Sequence, residues 1–272
     1  MTVSEVSETR PVWAADQPLL VEQAGAVLTI TINRPHRKNA LDDATWDRLL
    51  GTLTETARDE SVRVVLITGA GGDFCAGADL TRARRGEHPL THMRLINAVA
   101  VQLHELPQPV VAKVEGVAVG AGMNLALGCD LVVASTTARF SQIFAKRGLS
   151  VDFGGSWLLP RAVGMQQAKR LALLSEMVGA QQALELGLVT WVKEPEEIDS
   201  FVHDLTGRLA NAAPVALALS KALLNEAGSQ TFRQALEAEA RAQVINLGTD
   251  ASVARKAFFD KVEPSFAGKW QL

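Results

Sequence analysis

The sequence has little that would point to secretion, to a membrane or to nucleic acid. Cys75 and Cys129 are the only cysteines in 272 residues, too few for a disulfide framework, so we expect reduced thiols in a cytoplasmic protein. No apolar run is long enough to span a bilayer, and the start (MTVSE) lacks a signal-peptide pattern. A formal net charge of −3 gives no broad attraction to nucleic acid or to an anionic membrane, so neither is an expected partner.

The usual signatures of nucleotide, metal and nucleophilic-serine sites are also missing. Phe74 stands where a dinucleotide-binding turn needs its third glycine, and the sequence contains no GxxxxGK[ST] loop. His88 and His92 are four residues apart, but Pro89 lies between them and no carboxylate motif accompanies them, so we predict no metal site. Ser156 is not part of a GxSxG turn, which argues against a serine nucleophile.

Two glycine-rich segments are the most informative part of the chain. They are residues 69–80 (GAGGDFCAGADL) and residues 116–125 (GVAVGAGMNL). Each follows a β-branched run and leads toward an apolar helical segment, which predicts two strand–loop–helix corners. Such corners can aim backbone N–H groups at one point and hold an oxygen that becomes negative during a reaction. Taken singly, each loop could equally serve only for a tight turn and close packing.

The hydrophobic periodicity predicts an α/β layered fold. Strands are predicted at 26–32, 64–68, 110–115 and 130–134, with helices between them, the first one capped by Asp42 or Asp43. Beyond about residue 160 the pattern is almost wholly helical, with one short strand near 188–192. The predicted helices are 165–175, 180–186, 196–210, 215–227, 231–246 and 250–261. Residues 1–20 have no periodicity and are expected to form a flexible arm.

The order and spacing of several motifs resemble the enoyl-CoA hydratase/isomerase family, also called the crotonase superfamily. The matching segments are 30–35 (ITINRP) with 39–41 (NAL), 74–79 (FCAGAD), 120–122 (GAG), 154–155 (GG) before 159–161 (LPR), and 257–261 (AFFDK). The resemblance covers roughly residues 20–268. It implies a crotonase-like ββα spiral core over residues 21–200. It also implies a C-terminal helical region, residues 201–272, that assembles trimers or dimers of trimers and contacts coenzyme A.

The resemblance further implies an acyl-CoA thioester substrate, with coenzyme A entering as part of the substrate and no separate cofactor. The backbone N–H groups of Ala78 and Ala121 would polarise the thioester carbonyl. Family hydratases hold a water between two glutamates, and here those positions are Asn124 and Phe144. Neither side chain can take a proton from water, so the two-carboxylate hydration mechanism is missing and an isomerase is favoured over a hydratase.

Asp152 is the remaining carboxylate near these motifs. It lies where family isomerases and dehalogenases place a functional aspartate, and the surrounding pattern resembles the ring-epoxide isomerase branch of phenylacetate degradation. Flanked by Val151, Phe153 and Phe144, it is expected to be partly desolvated, which raises the pKa of a carboxyl group toward values useful for proton transfer. The alternative is an N-cap of the helix that follows Gly154.

The remaining candidate residues would contact the substrate. Asn124, Phe144, Met123 and Trp157 are expected to line the acyl pocket. The candidates for coenzyme A contact are Ala76, Asp79, Leu80, Phe258 and Lys261, with the arginines at 82, 84 and 85 as a further basic cluster. Three functions follow: an acyl-CoA isomerase acting on a double bond or a ring oxide, a hydratase of weak or atypical activity, and a non-catalytic acyl-thioester binding protein.

Overall fold

Residues 17–81 and 88–270 are described by the computed structural model of the chain. Most of the arm predicted for residues 1–20, and the arginines at 82, 84 and 85, lie outside the described residues. Within them, no helix has the length and apolar character needed to cross a bilayer.

The described chain alternates strands and helices and then becomes helical, as the periodicity predicts. The strands are β1 (Leu19–Ala24), β2 (Val27–Ile32), β3 (Val64–Gly69), β4 (Val110–Val114), β5 (Val117–Val119), β6 (Leu131–Ser135), β7 (Arg139–Ser141), β8 (Val178–Gly179) and β9 (Trp191–Lys193). The helices are α1 (Asp43–Thr56), α2 (Pro89–Glu105), α3 (Ala121–Gly128), α4 (Gly155–Leu174), α5 (Ala180–Leu186), α6 (Ile198–Asn211), α7 (Pro214–Glu226), α8 (Phe232–Leu247) and α9 (Ala251–Asp260). The α/β prediction is confirmed.

Two sheets organise the core. The larger has the order β1-β2-β3-β4-β6-β9 and is parallel except for the β1–β2 hairpin. The smaller has the order β5-β7-β8. The chain passes from β4 to β5 through Gly116, whose φ of +55° suits glycine. Since β4 and β5 belong to different sheets, this turn carries the second glycine-rich segment out of the larger sheet.

The first glycine-rich segment joins the edge of the smaller sheet. The N–H of Cys75 donates to the carbonyl of Val117 at 2.9 Å, and the N–H of Val119 donates to the carbonyl of Cys75 at 3.0 Å. These bonds form an isolated parallel bridge between Cys75 and Ala118. The two glycine-rich segments therefore run side by side.

The helices cover the sheets through apolar faces. Helix α1 begins after Asp42, whose carboxylate accepts from the N–H of Thr45 at 3.0 Å, so Asp42 is the cap. Trp46 on α1 is fully buried and lies 5.4 Å, ring to ring, from Phe153. Helix α6 packs its apolar residues against a second cluster centred on strands β3, β4 and β6. The boundary predicted at residue 200 falls inside α6.

The structure differs from the prediction mainly at the edge strands and in α4. Strand β1 is an edge strand with one buried residue, Leu19, so it lacks the alternation that marks a strand. Helix α4 runs from Gly155 to Leu174 with Pro160 in its first turns, so it joins the helix expected after Gly154 to the one predicted at 165–175. The segment predicted as 165–175 follows a break at Gly164. The last strand lies at Trp191–Lys193, shifted from the predicted 188–192.

Candidate active site

Ala78 presents a free N–H group in the first loop. The N–H of Leu41 donates to the carbonyl of Gly77 at 2.8 Å, and the N–H of Asp79 donates to the carbonyl of Leu41 at 2.9 Å. Leu41 thus bonds both neighbours of Ala78 in a parallel bridge. The N–H of Ala78 therefore points away from Leu41. No group in the described chain accepts a hydrogen bond from it.

Ala121 presents a second free N–H group in the other loop. Gly120, with φ +56°, precedes α3 and donates its own N–H to the carbonyl of Ser141 at 2.8 Å. The first helical bond runs from the N–H of Asn124 to the carbonyl of Gly120 at 3.1 Å. The N–H of Ala121 therefore belongs to the first turn of α3 and has no acceptor among the described residues. This end of a helix favours negative charge.

Glycine allows the two loops to approach each other closely. A Cβ atom on Gly77 would lie 2.8 Å from the carbonyl oxygen of Val119 and 3.4 Å from the nitrogen of Ala121. A Cβ atom on Gly122 would lie 2.2 Å from the carbonyl oxygen of Cys75. Both approaches would be too close for real side chains, so the two donors can lie together only because these positions are glycine. Such a pair of donors is what an oxyanion hole requires.

A network of ion pairs around Arg34 holds the first loop. Arg34 was not among the site residues predicted from the sequence. The guanidinium of Arg34 donates to Asp79 Oδ2 at 2.9 Å and pairs with Asp42 Oδ2 at 3.0 Å. The Thr81 hydroxyl donates to Asp79 Oδ1 at 2.6 Å. This hydroxyl and, less strongly, Arg34 lower the pKa of Asp79 to about 2, against the opposing effect of burial. The Asp79 carboxylate therefore stabilises the loop.

Asn39 supports the same loop from a left-handed backbone conformation. Its φ is +57°, which asparagine tolerates better than most residues. Its amide oxygen accepts from the N–H of Arg34 at 2.9 Å, and its amide nitrogen donates to the carbonyls of Ala70 and Asp73 at 2.8 and 2.5 Å. Residues 39–41 belong to the motifs identified in the sequence, but the sequence of this segment does not indicate these hydrogen-bond partners.

Two of the residues proposed for coenzyme A contact in this loop use their backbone N–H groups within the protein. Asp79 uses its N–H to bond Leu41, and Ala76 donates its N–H to the carbonyl of Lys38 at 2.9 Å. Leu80 is 63% exposed at the edge of the loop. Contact with a substrate here would therefore use the carbonyl groups of the loop and the side chain of Leu80.

Asp152 has a buried carboxyl oxygen without a partner. Its Oδ1 accepts no hydrogen bond from any described residue, and burial raises the pKa of this carboxyl group from 3.8 to about 6. Helix α4 begins at Gly155, its N-cap is Gly154, and no side chain caps it. The alternative that Asp152 is a helix cap is therefore wrong.

The backbone beside Asp152 is unusual. Phe153 and Gly154 both have positive φ values, +48° and +74°. For phenylalanine this conformation costs energy. The Phe153 side chain is 1% exposed and packs against Trp46, so core packing holds the strained turn in place. This turn fixes the direction of the backbone at Asp152.

A buried amide of the second glycine-rich segment bonds the backbone of Asp152, and a second buried amide bonds the first. Asn124 is fully buried, and its Nδ2 donates to the main-chain carbonyl of Asp152 at 2.9 Å. Its Oδ1 accepts from Gln142 Nε2 at 2.7 Å. Asn124 was expected to line the acyl pocket. Both ends of its amide are engaged within the protein.

The other predicted pocket residues lie in different surroundings. Phe144 is buried, and its Cζ lies 3.7 Å from the position that a Cβ on Gly120 would occupy, so its ring borders the second loop. Met123 belongs to the hydrophobic core. Trp157 is 40% exposed, with the Arg161 guanidinium 3.7 Å from its ring centre and His104 in edge contact at 5.2 Å.

The predicted coenzyme A contacts at the C-terminus are exposed. Phe258 and Lys261 lie on the last turn of α9 and at its end, with Phe258 78% exposed and in edge contact with Phe259 at 5.7 Å. No hydrogen bond joins either residue to the first loop within the described part of this chain. Their role in coenzyme A contact stays a prediction.

The histidine, metal-ligand and thiol groups of the described residues have structural surroundings. His88 accepts a hydrogen bond from the N–H of Leu90 at 3.2 Å and caps α2. Among the described residues, no three His, Cys, Asp or Glu side chains could hold a metal ion together. Burial raises the pKa of Cys75 to about 12 and that of Cys129 above its usual range, so neither is a thiolate near neutral pH.

Comparison with known proteins gives consistent matches over most of the chain. The sequence profile of the enoyl-CoA hydratase/isomerase family matches residues 22–269. The 1,2-epoxyphenylacetyl-CoA isomerase of Escherichia coli (strain K12) is 38% identical over 250 residues, 89% of this chain and 95% of that protein. The short-chain-enoyl-CoA hydratase of Clostridium acetobutylicum is 36% identical over 249 residues, again 89% and 95%. The crystal structure of an enoyl-CoA hydratase from Polaromonas sp. JS666 superposes with a TM-score of 0.87 at 35% identity, covering 92% and 99%.

Proposed function

This chain belongs to the enoyl-CoA hydratase/isomerase family and has its crotonase-like fold, and we propose that it is an acyl-CoA isomerase whose proton shuttle is Asp152. The observation that carries the proposal is the buried Asp152 oxygen without a hydrogen-bond partner among the described residues. Burial brings its pKa to about 6, within reach of a general base near neutral pH. One carboxylate in this state is sufficient to move a proton between two carbons.

The proposed reaction uses the two free backbone donors. The thioester oxygen would bind between the N–H groups of Ala78 and Ala121. Ionised Asp152 then takes a proton from the α-carbon of a 3-enoyl thioester, and the electron pair of that C–H bond forms a dienolate whose oxygen the donors stabilise. Return of the same proton to the γ-carbon gives the 2-enoyl product. No atom is gained or lost.

Isomerisation is favoured over hydration by the groups at the two hydratase positions. Asn124 is an amide with both ends bonded, and Phe144 is apolar, so neither can activate water. The names of the relatives do not decide between the two reactions, since one relative is called an isomerase and another a hydratase. The 1,2-epoxyphenylacetyl-CoA isomerase supports a ring-oxide ester as a second substrate class.

We further expect a homotrimer, or a dimer of trimers, assembled through α7, α8 and α9. These helices expose large apolar side chains in the single chain: Leu224, Phe232, Leu236, Val244, Leu247, Phe258 and Phe259. A neighbouring subunit would cover them and would bring Lys261 to the coenzyme A phosphates. Light scattering of the purified protein at micromolar concentration tests this expectation, and a monomer would contradict it.

A panel of thioesters and one variant test the proposed reaction. Crotonyl-CoA, trans-3-enoyl-CoA and an aromatic ring-oxide CoA ester are offered to the wild type and to Asp152→Asn. If Asp152 moves the proton, turnover of the isomerised substrate falls by about 10²–10⁴-fold, while calorimetry shows thioester binding little changed. The matched control is Asp204→Asn, because Asp204 is exposed on α6.

The outcomes separate the three functions. Undiminished turnover in Asp152→Asn means that Asp152 is not the base. Hydration of crotonyl-CoA without isomerisation favours a hydratase. Tight thioester binding with no turnover of any ester favours a binding protein.

A further inference from the structure

A directional chain of two amides ends on the backbone of Asp152. Gln142 Nε2 donates to Asn124 Oδ1 at 2.7 Å, and Asn124 Nδ2 donates to the Asp152 carbonyl at 2.9 Å. A carbonyl oxygen only accepts, so the Asn124 nitrogen must face Asp152 and its oxygen must face Gln142. Gln142 must then donate. The direction of the whole chain therefore follows from one backbone carbonyl.

This direction leaves an acceptor unsatisfied at the far end. Gln142 is fully buried, and its Oε1 has no hydrogen-bond partner among the described residues. An orphaned buried oxygen is unfavourable for stability, and native structures contain few of them. A glutamine at this position is therefore better explained by what its nitrogen does for Asn124 than by its contribution to the core.

Rigid neighbours hold Gln142 in place. The Ser175 hydroxyl donates to the Gln142 carbonyl at 3.0 Å, and Lys146 Nζ donates to the Ser175 carbonyl at 2.9 Å. Ser175 ends α4 in a left-handed conformation with φ +50°. The amide chain is thus anchored at the end of α4 opposite to Asp152, because Asp152 lies just before the beginning of α4.

The same chain connects the base to one of the oxyanion donors. Asn124 lies on α3, one turn after Ala121, and its own N–H donates to Gly120 at 3.1 Å. A Cβ at Gly155 would lie 2.3 Å from Asn124 Nδ2, so a side chain there would displace the Asn124 amide. The Asn124 side chain therefore joins α3 directly to the Asp152 segment.

We infer that Asn124 and Gln142 are positioning residues, which hold the Asp152 carboxyl at a fixed place relative to the Ala121 donor. This inference rests on the proposed function. Proton transfer between two carbons of a bound thioester needs the base at a defined distance, and a misplacement of about 1 Å can cost a hundredfold in rate. The N–H of Gly155 also donates to this carbonyl at 2.8 Å, but that bond lies within the turn and does not join it to α3. Without the bond from Asn124, the Asp152 segment could therefore shift relative to α3 by such an amount.

Gln142→Glu tests the inference with nearly unchanged volume. When the introduced carboxyl group is ionised it cannot donate to Asn124, so the Asn124 amide rotates to donate toward position 142. The Asp152 carbonyl then loses its bond from α3 and keeps the local bond from the Gly155 N–H. We expect kcat to fall about 10–100-fold at pH 8, with KM changed less than about threefold. When the introduced carboxyl group is protonated at lower pH it can donate again. The ratio of variant to wild-type kcat is therefore expected to rise as the pH falls.

Gln108→Glu is the matched control. Gln108 also donates through Nε2, to the Thr56 carbonyl at 2.9 Å, and its Oε1 is also buried without a partner among the described residues. It is not part of the candidate site, so its substitution is expected to lower the melting temperature but to leave kcat within about twofold and the kcat ratio independent of pH. Gln142→Met provides a second test if Gln142→Glu does not fold. Methionine removes the donor to Asn124 but does not force the Asn124 amide to rotate, so kcat should fall less than in Gln142→Glu and without recovery at low pH. A kcat equal to that of the wild type would contradict the positioning role.

The results distinguish this inference from the proposed function. If Asp152→Asn abolishes turnover and folded Gln142→Glu does not reduce kcat, only the positioning role is wrong. Equal losses in Gln142→Glu and Gln108→Glu, or a ratio that does not change with pH, also overturn it. If Asp152→Asn retains full turnover, the proposed function fails. Crystal structures of Gln142→Glu at pH 5 and pH 8 then decide separately whether the Asn124–Asp152 contact depends on Gln142.

Discussion

Two aspartates of the candidate site have opposite environments. Asp79, at the end of the first loop, accepts bonds from Arg34 and Thr81, and its pKa lies at about 2. Asp152, before α4, has a buried oxygen without any partner among the described residues, and its pKa lies at about 6. Both have an apolar residue on either side in the sequence. Their partners in space determine which carboxylate stabilises a loop and which can exchange a proton.

The contrast between the two aspartates predicts how kcat/KM depends on pH. Because Asp152 must be ionised to remove a proton, kcat/KM should fall about tenfold for each pH unit below about 6, which gives a loss of about a hundredfold by pH 4. Asp79 remains ionised over this range, since its pKa is about 2. Initial rates between pH 4 and 8, with stability monitored in parallel, provide the measurement. A profile without change from pH 5 to 8 would mean that no group with the pKa of Asp152 limits the reaction.

A second experiment adds the carboxylates of a hydratase. The double variant Asn124→Glu with Phe144→Glu should raise hydration of crotonyl-CoA at least about tenfold if only these two groups are missing. It should lower isomerase activity, since Asn124 would no longer hold the Asp152 carbonyl. Each single variant serves as a control, because the hydratase mechanism needs both glutamates. No gain in hydration would show that the pocket differs from a hydratase in more than these side chains.

Removing the Asp79 carboxylate tests whether this aspartate stabilises the loop and takes no part in the chemistry. Asp79→Asn leaves the partly buried Arg34 with Asp42 as its remaining ion-pair partner among the described residues, and should lower the free energy of unfolding by about 2–3 kcal/mol. Denaturant unfolding near neutral pH measures this change. Once corrected for the folded fraction, kcat should fall far less than in Asp152→Asn. A loss of rate as large as that of Asp152→Asn would make Asp79 part of the chemistry.

The sequence was sufficient to predict the elements with strong local signals. The glycines around Ala78 and Ala121 mark the two corners, because only glycine allows the close approach seen at Gly77 and Gly122. The desolvation of Asp152 was predictable from its apolar neighbours, and the raised pKa confirms it. These predictions depend on residues adjacent in the chain.

The features that sequence reasoning missed depend on residues far apart in the chain. Arg34 and Asp79 are 45 residues apart, and Asn124 and Asp152 are 28 apart. No periodicity or propensity records such pairs. Proline is unfavourable in the interior of a helix, yet Pro160 lies within α4. For Asn124, the sequence shows that a carboxylate is absent at this position, but it does not show that the Asn124 amide bonds the backbone of Asp152.

The smallest predicted effect concerns the stability cost of keeping Asp152 ionised in a buried place. Its pKa is about 6 in the folded protein and 3.8 normally, so the folded state binds the proton more tightly than the unfolded state. Ionised Asp152 therefore destabilises the fold. The cost is absent below pH 3.8, grows as the pH rises toward 6, and is constant above 6.

Asp152→Asn removes this cost, and the inactive variant should be more stable than the wild type at pH 8. A shift of about two pKa units corresponds to roughly 3 kcal/mol, and the buried amide offsets part of it, so we expect a gain of about 1–2 kcal/mol. The gain should disappear near pH 4, where the wild-type carboxyl group is protonated in the fold. Urea unfolding at pH 8 and at pH 4 gives both values. Equal stabilities of the two proteins at pH 8 would mean that Asp152 is solvated, and would remove the contrast with Asp79.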